Sequence, residues 1–301
     1  MFLLATLPFI NSFTCSNSNI TDKLKNIIKH NGIIALSEIK TGKLIACTNL
    51  NLALKPHTIG SLAKLITATA LLENKLITTN EKYNCNGYEI IDGKKVFCWD
   101  HSGHGNQNIE SALANSCNLF FQHFARRITS KDIVKYYDLL NINVKQSLDT
   151  SISKEPLPDK IYGNKDQIVL GLNDELKFNV IQMLNFASTI ARNGVYKPIT
   201  TTNNDQKQKL KIEKENITII QNGMIKSALS GTGKLLHTNG LDAAIKTGTA
   251  PNHDKTYHGW CIGYTPSINP TTAFCVYINH GTGYSNALPV ANEVLKTCLK
   301  T

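Results

Sequence analysis

Strand-type alternation occupies the two ends of this sequence and helical periodicity the middle, an order that restricts the fold more than any other feature. Residues 32–50, "GIIALSEIKTGKLIACTNL", alternate apolar and polar and turn at Thr41–Gly42, the pattern of a β-hairpin. The alternation returns over 242–279 in "AAIKTGTA", "GWCIGYTP" and "TAFCVYIN". Between these, "SLAKLITATALLENKL" (61–76), "IESALANSCNLFFQHFARRI" (109–128), "SKDIVKYYDLL" (130–140) and "FNVIQMLNFASTIARNG" (178–194) carry apolar residues at helical spacing. Helices are also expected at 21–32, with Thr21 as N-cap and a glycine stop, and in the closing "ALPVANEVLKTCLK". There are no repeats and no long Pro- or Ser-rich linker, so one unit over residues 20–301 is the economical division. The expected class is α+β: a central antiparallel sheet built from both chain ends, flanked by a helical block.

The net charge of +10 comes mostly from dispersed lysine, with one dense run, "KQKLKIEKEN" at 207–216. No basic stripe is interleaved with aromatics and no zinc-finger spacing occurs, so nucleic acid is not an expected partner. The run reads as a solvated surface. The opening "MFLLATLPFINSFTC" is apolar over too short a stretch to span a bilayer and is similar to the core of a secretory signal. It lacks a basic leading region and a small-x-small cleavage site, and the residues before Cys15 do not suit lipidation. Residues 1–19 are therefore expected to be a signal or disordered segment of an exported chain, touching membrane only through this segment if it is not cleaved.

Three short motifs carry chemistry. Ser61 and Lys64 in "GSLAK" stand three residues apart at a helix start, on one face. The helix N-terminus favours negative charge near the serine and, with desolvation, disfavours the lysine ammonium, so that a neutral amine can take the serine proton. Ser116-Cys117-Asn118 follows between two helical stretches, and Lys246-Thr247-Gly248 heads a strand. A second Lys-Thr-Gly, at 40–42, sits in the hairpin turn, where Thr-Gly is ordinary turn chemistry, and Lys40 reads as a solvated residue.

In type and order these motifs resemble the set shared by penicillin-binding proteins and serine β-lactamases. The resemblance runs from about residue 32 to 296, through "IGSLAKLITATALLE", "GHGNQNIESALANSCNLFF", "LNFASTIARNGVYKP", "IKTGTAPNHDKTYHGWCIGYTP" and "GTGYSNALPVANEVL". It is greatest to the transpeptidase domain of class B, elongation-type penicillin-binding proteins. It implies a β-lactamase/transpeptidase-like fold and acyl transfer on D-Ala-D-Ala stem peptides of peptidoglycan, in the periplasm or at the outer face of the cytoplasmic membrane. β-Lactams and the cell-wall elongation machinery are the implied partners. Ser61 would be the nucleophile and Lys64 its base. Ser116 would pass a proton to the departing D-alanine and Asn118 hold the stem backbone. Lys246, Thr247 and Thr249 would bind the terminal carboxylate across Gly248. The N–H groups of Ser61 and Thr249 would form the oxyanion hole.

Cys117 stands between two of these polar residues. With Cys85, Cys98 and His104 it completes the pattern Cys-x12-Cys-x5-His-x12-Cys, three thiolates and an imidazole, a tetrahedral zinc set. Some elongation-type relatives carry zinc on this segment, which implies Zn²⁺ here in a structural role, bracing the Ser-x-Asn loop. A Cys85–Cys98 disulfide is the rival reading, and Asp100 or His101 are substitute ligands. Cys47, Cys261, Cys275 and Cys298 read as small buried hydrophobes, and no organic cofactor is expected.

The same motifs admit a D,D-carboxypeptidase, a β-lactamase-type hydrolase, or a sensing module that acylates without turnover. "YGN" at 162–164 lies too far beyond Ser116 for the class D motif and reads as a turn, and Glu-x-x-Leu-Asn of class A is absent. His258 and Tyr257 are expected at the cleft rim, His258 in a structural role.

Overall fold

The computed structural model describes residues 17–28, 31–91, 93–146, 152–158, 161, 164–202 and 205–299. "YG" of 162–164, Cys15 and the Cys298 side chain fall outside them. Helix α1 (Asn17–Ile28) leads into the hairpin β1 (Gly32–Glu38) and β2 (Leu44–Cys47). The central block holds α2 (Ala63–Glu73), a second hairpin β3 (Tyr88–Ile91) and β4 (Lys94–Phe97), α3 (Ile109–Ala114), α4 (Asn118–Ala125), α5 (Ser130–Leu139), α6 (Val180–Ala191) and α7 (Lys214–Ser230). Then come β5 (Ala244–Pro251), β6 (Tyr257–Thr265), β7 (Thr272–Ile278) and α8 (Leu288–Leu299).

Five strands form one antiparallel sheet in the order β5-β6-β7-β1-β2. The two ends of the chain meet where β1 pairs β7, Gly32 facing Ile278 and Glu38 facing Thr272. Strand alternation sends Ile33 and Ala35 to one face of the sheet and Ile34 and Leu36 to the other, and all four are buried. The second face is covered by the terminal helices, through Leu24, Ala291 and Val294. The first face receives α6, every residue of which is buried, the polar Gln182, Asn185, Ser188 and Thr189 included. Ser188 on α6 meets Ser37 of β1, hydroxyl to hydroxyl at 3.1 Å, so the core's polar atoms there satisfy each other.

Several sequence expectations shift at element ends. Helix α1 is described from Asn17, so Thr21 lies inside it rather than at its cap, and Ile20 is the first buried residue described. The helical stretches expected on either side of Ser116-Cys117-Asn118 are α3 and α4, which end at Ala114 and begin at Asn118. Helix α7 is not among the expected elements: its sequence, "KENITIIQNGMIKSALS", is polar-rich and interrupted by Gly223, and only Ile217, Ile220, Met224 and Ala228 mark its buried stripe. The basic run at 207–216 alternates, with Leu210 and Ile212 inward and Lys207, Lys209, Lys211 and Lys214 exposed. Lys40 is exposed in the hairpin turn. Among the described residues no helix is long and apolar enough to cross a membrane.

Candidate active site

Strand β5 is the outer strand of the sheet, and the turn that precedes α2 lies against it. That turn, Gly60–Leu62, is a short 3-10 segment that places Ser61 at the helix entrance. Gly60 is indispensable to the approach. Its φ is +55°, and a Cβ there would stand 2.3 Å from the carbonyl oxygen of Thr249. From behind, the carbonyl of Thr58 accepts from His258 Nε2 (2.7 Å) and from the Trp260 indole (3.0 Å), fixing the strand that delivers Ser61. His258 is thus buried behind the nucleophile rather than at the cleft rim, and burial lowers its pKa. Tyr257 is exposed.

Lys64, one turn beyond Ser61, is fully buried. Its Nζ lies 3.1 Å from Ser61 Oγ, 2.7 Å from the Ser116 carbonyl and 3.3 Å from Ser116 Oγ, and also donates to Asn118 Oδ1. Desolvation pushes its pKa down to about 8. Lys246, on β5, is equally buried. Its Nζ reaches Ser116 Oγ (2.9 Å) and the Thr247 carbonyl (2.8 Å), and burial, reinforced by the Lys64 charge, holds its pKa well below the ordinary lysine range. Ser116 Oγ therefore bridges two amines.

Ser116 occupies that place because helix α3 ends in a Schellman arrangement with serine where glycine is usual. The Ser116 N–H bonds the Leu113 carbonyl and the Cys117 N–H the Ala112 carbonyl, at 3.2 and 2.9 Å, and Ser116 has φ of +53°. A left-handed conformation at a non-glycine costs ~1–3 kcal/mol and persists only where its surroundings hold it. Here Lys64 holds the Ser116 carbonyl and the Trp99 indole holds that of Asn115 (3.0 Å). The turn aims Ser116 and Asn118 at the lysines and sends Cys117 the opposite way, into the core.

Behind the loop, Cys85, Cys98, His104 and Cys117 converge, with one ligand atom from each all within 4.8 Å of one another. His104 Nδ1 lies 3.6 Å from Cys85 Sγ and 3.5 Å from Cys98 Sγ, and Cys98 and Cys117 sulfurs are 4.0 Å apart. A tetrahedral zinc with bonds of about 2.3 Å to sulfur and 2.0–2.1 Å to nitrogen implies S···N near ~3.6 Å and S···S near ~3.8 Å. The donor set and spacing fit that ion. Cys85 and Cys98 are free thiols rather than a disulfide. Asp100 turns to Ser102 and His101 packs on Phe97, so neither joins the cluster. Cys47, Cys261 and Cys275 sit in the sheet, the latter two fully buried.

The cleft, of about 280 Å³, is lined by Ser61, Trp99, Ser116, Asn118, Thr232, Thr247, Gly248, Thr249 and Tyr284. Lys64 and Lys246 lie beneath this lining. Thr232, Trp99 and Tyr284 were not expected there from sequence. Thr232 is set by the turn after α7, where Gly231 packs so closely on the Ala114 carbonyl that a Cβ would stand 2.3 Å from it. Its hydroxyl receives that of Thr247 at 3.0 Å. The bracketing glycines in "SGTGK" (230–234) are the only sequence signal for this turn. Thr249 Oγ1 accepts from the Gly283 N–H at 2.9 Å, which leaves its own hydrogen to donate.

Among solved structures the fold of the chain is similar to that of penicillin-binding protein 2 of Pseudomonas aeruginosa in complex with WCK 5153, with a TM-score of 0.82 and 19% identity over 94% of this chain and 77% of that one. The shared fold is that of a penicillin-binding protein. Residues 32–300 match the family model of the penicillin binding protein transpeptidase domain, and the chain belongs to that family. It is 25% identical over 272 residues to stage V sporulation protein D of Bacillus subtilis and 24% identical over 264 residues to peptidoglycan D,D-transpeptidase FtsI of Buchnera aphidicola. Each match takes in 80% of this chain but only 42% and 45% of the relatives, so the chain spans less than half their length.

Proposed function

We propose that this chain is a serine-type D,D-transpeptidase acting on the D-Ala-D-Ala end of peptidoglycan stem peptides, outside the cytoplasm, and acylated by β-lactams. The observation that carries the reading is the unbroken line Ser61 Oγ, Lys64 Nζ, Ser116 Oγ, Lys246 Nζ, at 3.1, 3.3 and 2.9 Å. In this reading Ser61 Oγ attacks the penultimate D-alanine carbonyl while its proton passes to neutral Lys64. The C–N bond then breaks, and the proton moves from Lys64 through Ser116 Oγ to the departing amine. An acceptor amine attacks the resulting ester, gives a proton to Lys64, and Ser61 Oγ leaves with one. The N–H groups of Ser61 and Thr249 receive the oxyanion, and losing one such donor costs ~3–4 kcal/mol.

Two roles become more specific than the sequence allowed. Asn118 Oδ1 is taken by Lys64, which leaves its amide N–H₂ for a substrate carbonyl. The terminal carboxylate meets Thr232, Thr247 and Thr249 in the cleft lining, above the buried Lys246 amine. Turnover of a D-Ala-D-Ala pentapeptide tests the reading. An acceptor amine is expected to raise D-alanine release and appear in the product. Release unaffected by the amine would favour the carboxypeptidase, and acylation without release the sensor.

The base also sets a pH dependence. Because burial lowers Lys64 to about 8, the neutral form grows tenfold per pH unit up to that value and is nearly complete above it. The acylation rate by a penicillin is expected to rise with pH and level off above about 8. A flat profile from pH 6 to 9 would remove Lys64 from the role of base.

We further propose that Cys85, Cys98, His104 and Cys117 hold one Zn²⁺ in a structural site. Its chemistry there is cross-linking: it fixes the β3–β4 base to the loop carrying Ser116 and Asn118. Proteins of the cell-wall elongation machinery remain the proposed partners on the strength of the sequence resemblance.

A further inference from the structure

The hairpin β3–β4 has two unlike faces. Toward the body, Glu89 accepts from the Tyr83 hydroxyl at 3.2 Å and pairs with Arg126 at 3.2 Å. On the outward face, Tyr88 lies opposite Phe97 and Ile90 opposite Lys95, and all four side chains are exposed. The Tyr88 and Phe97 rings are 6.3 Å apart, and the Lys95 ammonium lies 3.7 Å from the Tyr88 ring centroid. Two residues past Phe97, Trp99 is 53% exposed and lines the cleft beside Ser61. The chain therefore leads directly from the exposed hairpin face at Phe97 to Trp99 in the lining of the nucleophile's cleft. Exposed apolar side chains gathered on one strand face mark a binding surface.

We propose that this face is a carbohydrate platform holding the sugar strand from which the substrate's stem peptide hangs. The inference rests on the acyl-serine reading above. A stem peptide is a branch on a long polymer, so when its end reaches Ser61 the polymer must leave the cleft along one wall. Trp99 stands in the cleft lining where the hairpin joins it, and Tyr88 and Phe97 lie farther out on the same hairpin. Sugar rings present faces of C–H groups that lose water favourably against aromatic rings, while their hydroxyls stay wet. Lys94 and Lys95 add cations suited to the carboxylates of stem peptides. A stable protein partner would need about 20–30 residues a side, far more than this two-stranded face supplies. The platform is held in register at its base, where the Cys98 N–H bonds the Gly87 carbonyl at 2.8 Å and Cys98 joins the metal-type cluster.

The test is a Tyr88→Ser, Phe97→Ser double variant of the whole chain, assayed with a penicillin, a free D-Ala-D-Ala pentapeptide, and the same pentapeptide on uncross-linked glycan strands. We expect KM for the strand-borne peptide to rise at least tenfold with kcat kept, and the other two reactions to stay within twofold, which also shows that the variant is folded. A strand-borne reaction that changes no more than the free-peptide reaction would overturn the platform and leave the face to a protein. Co-sedimentation with bare glycan strands separates the two layers of the argument. Strand binding that the variant loses, in a parent that no penicillin acylates, sinks only the acyl-serine reading. Acylation with equal strand binding by parent and variant sinks only the platform.

Discussion

Replacement of Lys64 by methionine is expected to slow penicillin acylation by about 10³-fold, equal to ~4 kcal/mol of barrier, with little change in the affinity of the non-covalent complex. Lys64 contacts Ser61 Oγ, both oxygens of Ser116 and Asn118 Oδ1, and it is fully buried. Its ordinary ammonium form is disfavoured there by desolvation, so removing it deletes the proton acceptor without deleting a well-paired charge. Methionine fills similar volume and leaves the Ser116 carbonyl and Asn118 amide oxygen without a donor, a cost of ~1–3 kcal/mol apiece offset by relief of the buried amine. Stopped-flow acylation kinetics beside a thermal melt separate the two effects. A loss of rate smaller than tenfold in a folded variant would mean that another group, Lys246 through Ser116, takes the proton.

The second large effect concerns Cys117. Changing it to serine is expected to abolish zinc retention, lower acylation by 10- to 100-fold, and lower the melting temperature by several degrees. The reason is geometric: Ser116 is held at φ +53° between the end of α3 and Cys117, the N-cap of α4, whose sulfur is 4.0 Å from that of Cys98. Without the cross-link, hydrogen bonds alone, from Lys64, Lys246 and Trp99 and within the end of α3, oppose relaxation of that strained residue. A strong chelator should bring the parent protein to the same state and leave Cys117→Ser unaffected. Metal analysis of the parent with no zinc, or a variant as fast as the parent, would contradict the structural role assigned to the cluster.

The chain order of strands and helices made the sheet legible, and pairing β1 with β7 buries the apolar runs of both chain ends. The spacing of Ser61 and Lys64 was equally legible, since three residues on a helix fix a common face. Tertiary facts were not. Nothing local announces that Ser116 adopts a left-handed conformation, because glycine or asparagine is the usual mark and serine is neither. Nothing announces that Lys246 lies beneath the cleft lining, since a lysine in an alternating strand reads as exposed. Helix α7 was obscured by its polar residues and Gly223, and Thr232 was hidden with it. His258 was legible as a structural residue, but its place, on the Thr58 carbonyl behind Ser61, arises from pairing between distant strands.

Ser61 is proposed as the activated nucleophile, in a cleft shaped for an acyl group. Intact mass spectrometry of the protein after exposure to a penicillin, followed by peptide mapping, tests it most directly. One stable adduct per chain is expected, located on Ser61 in the peptide containing "GSLAK". No adduct, or an adduct on any other residue, would contradict it.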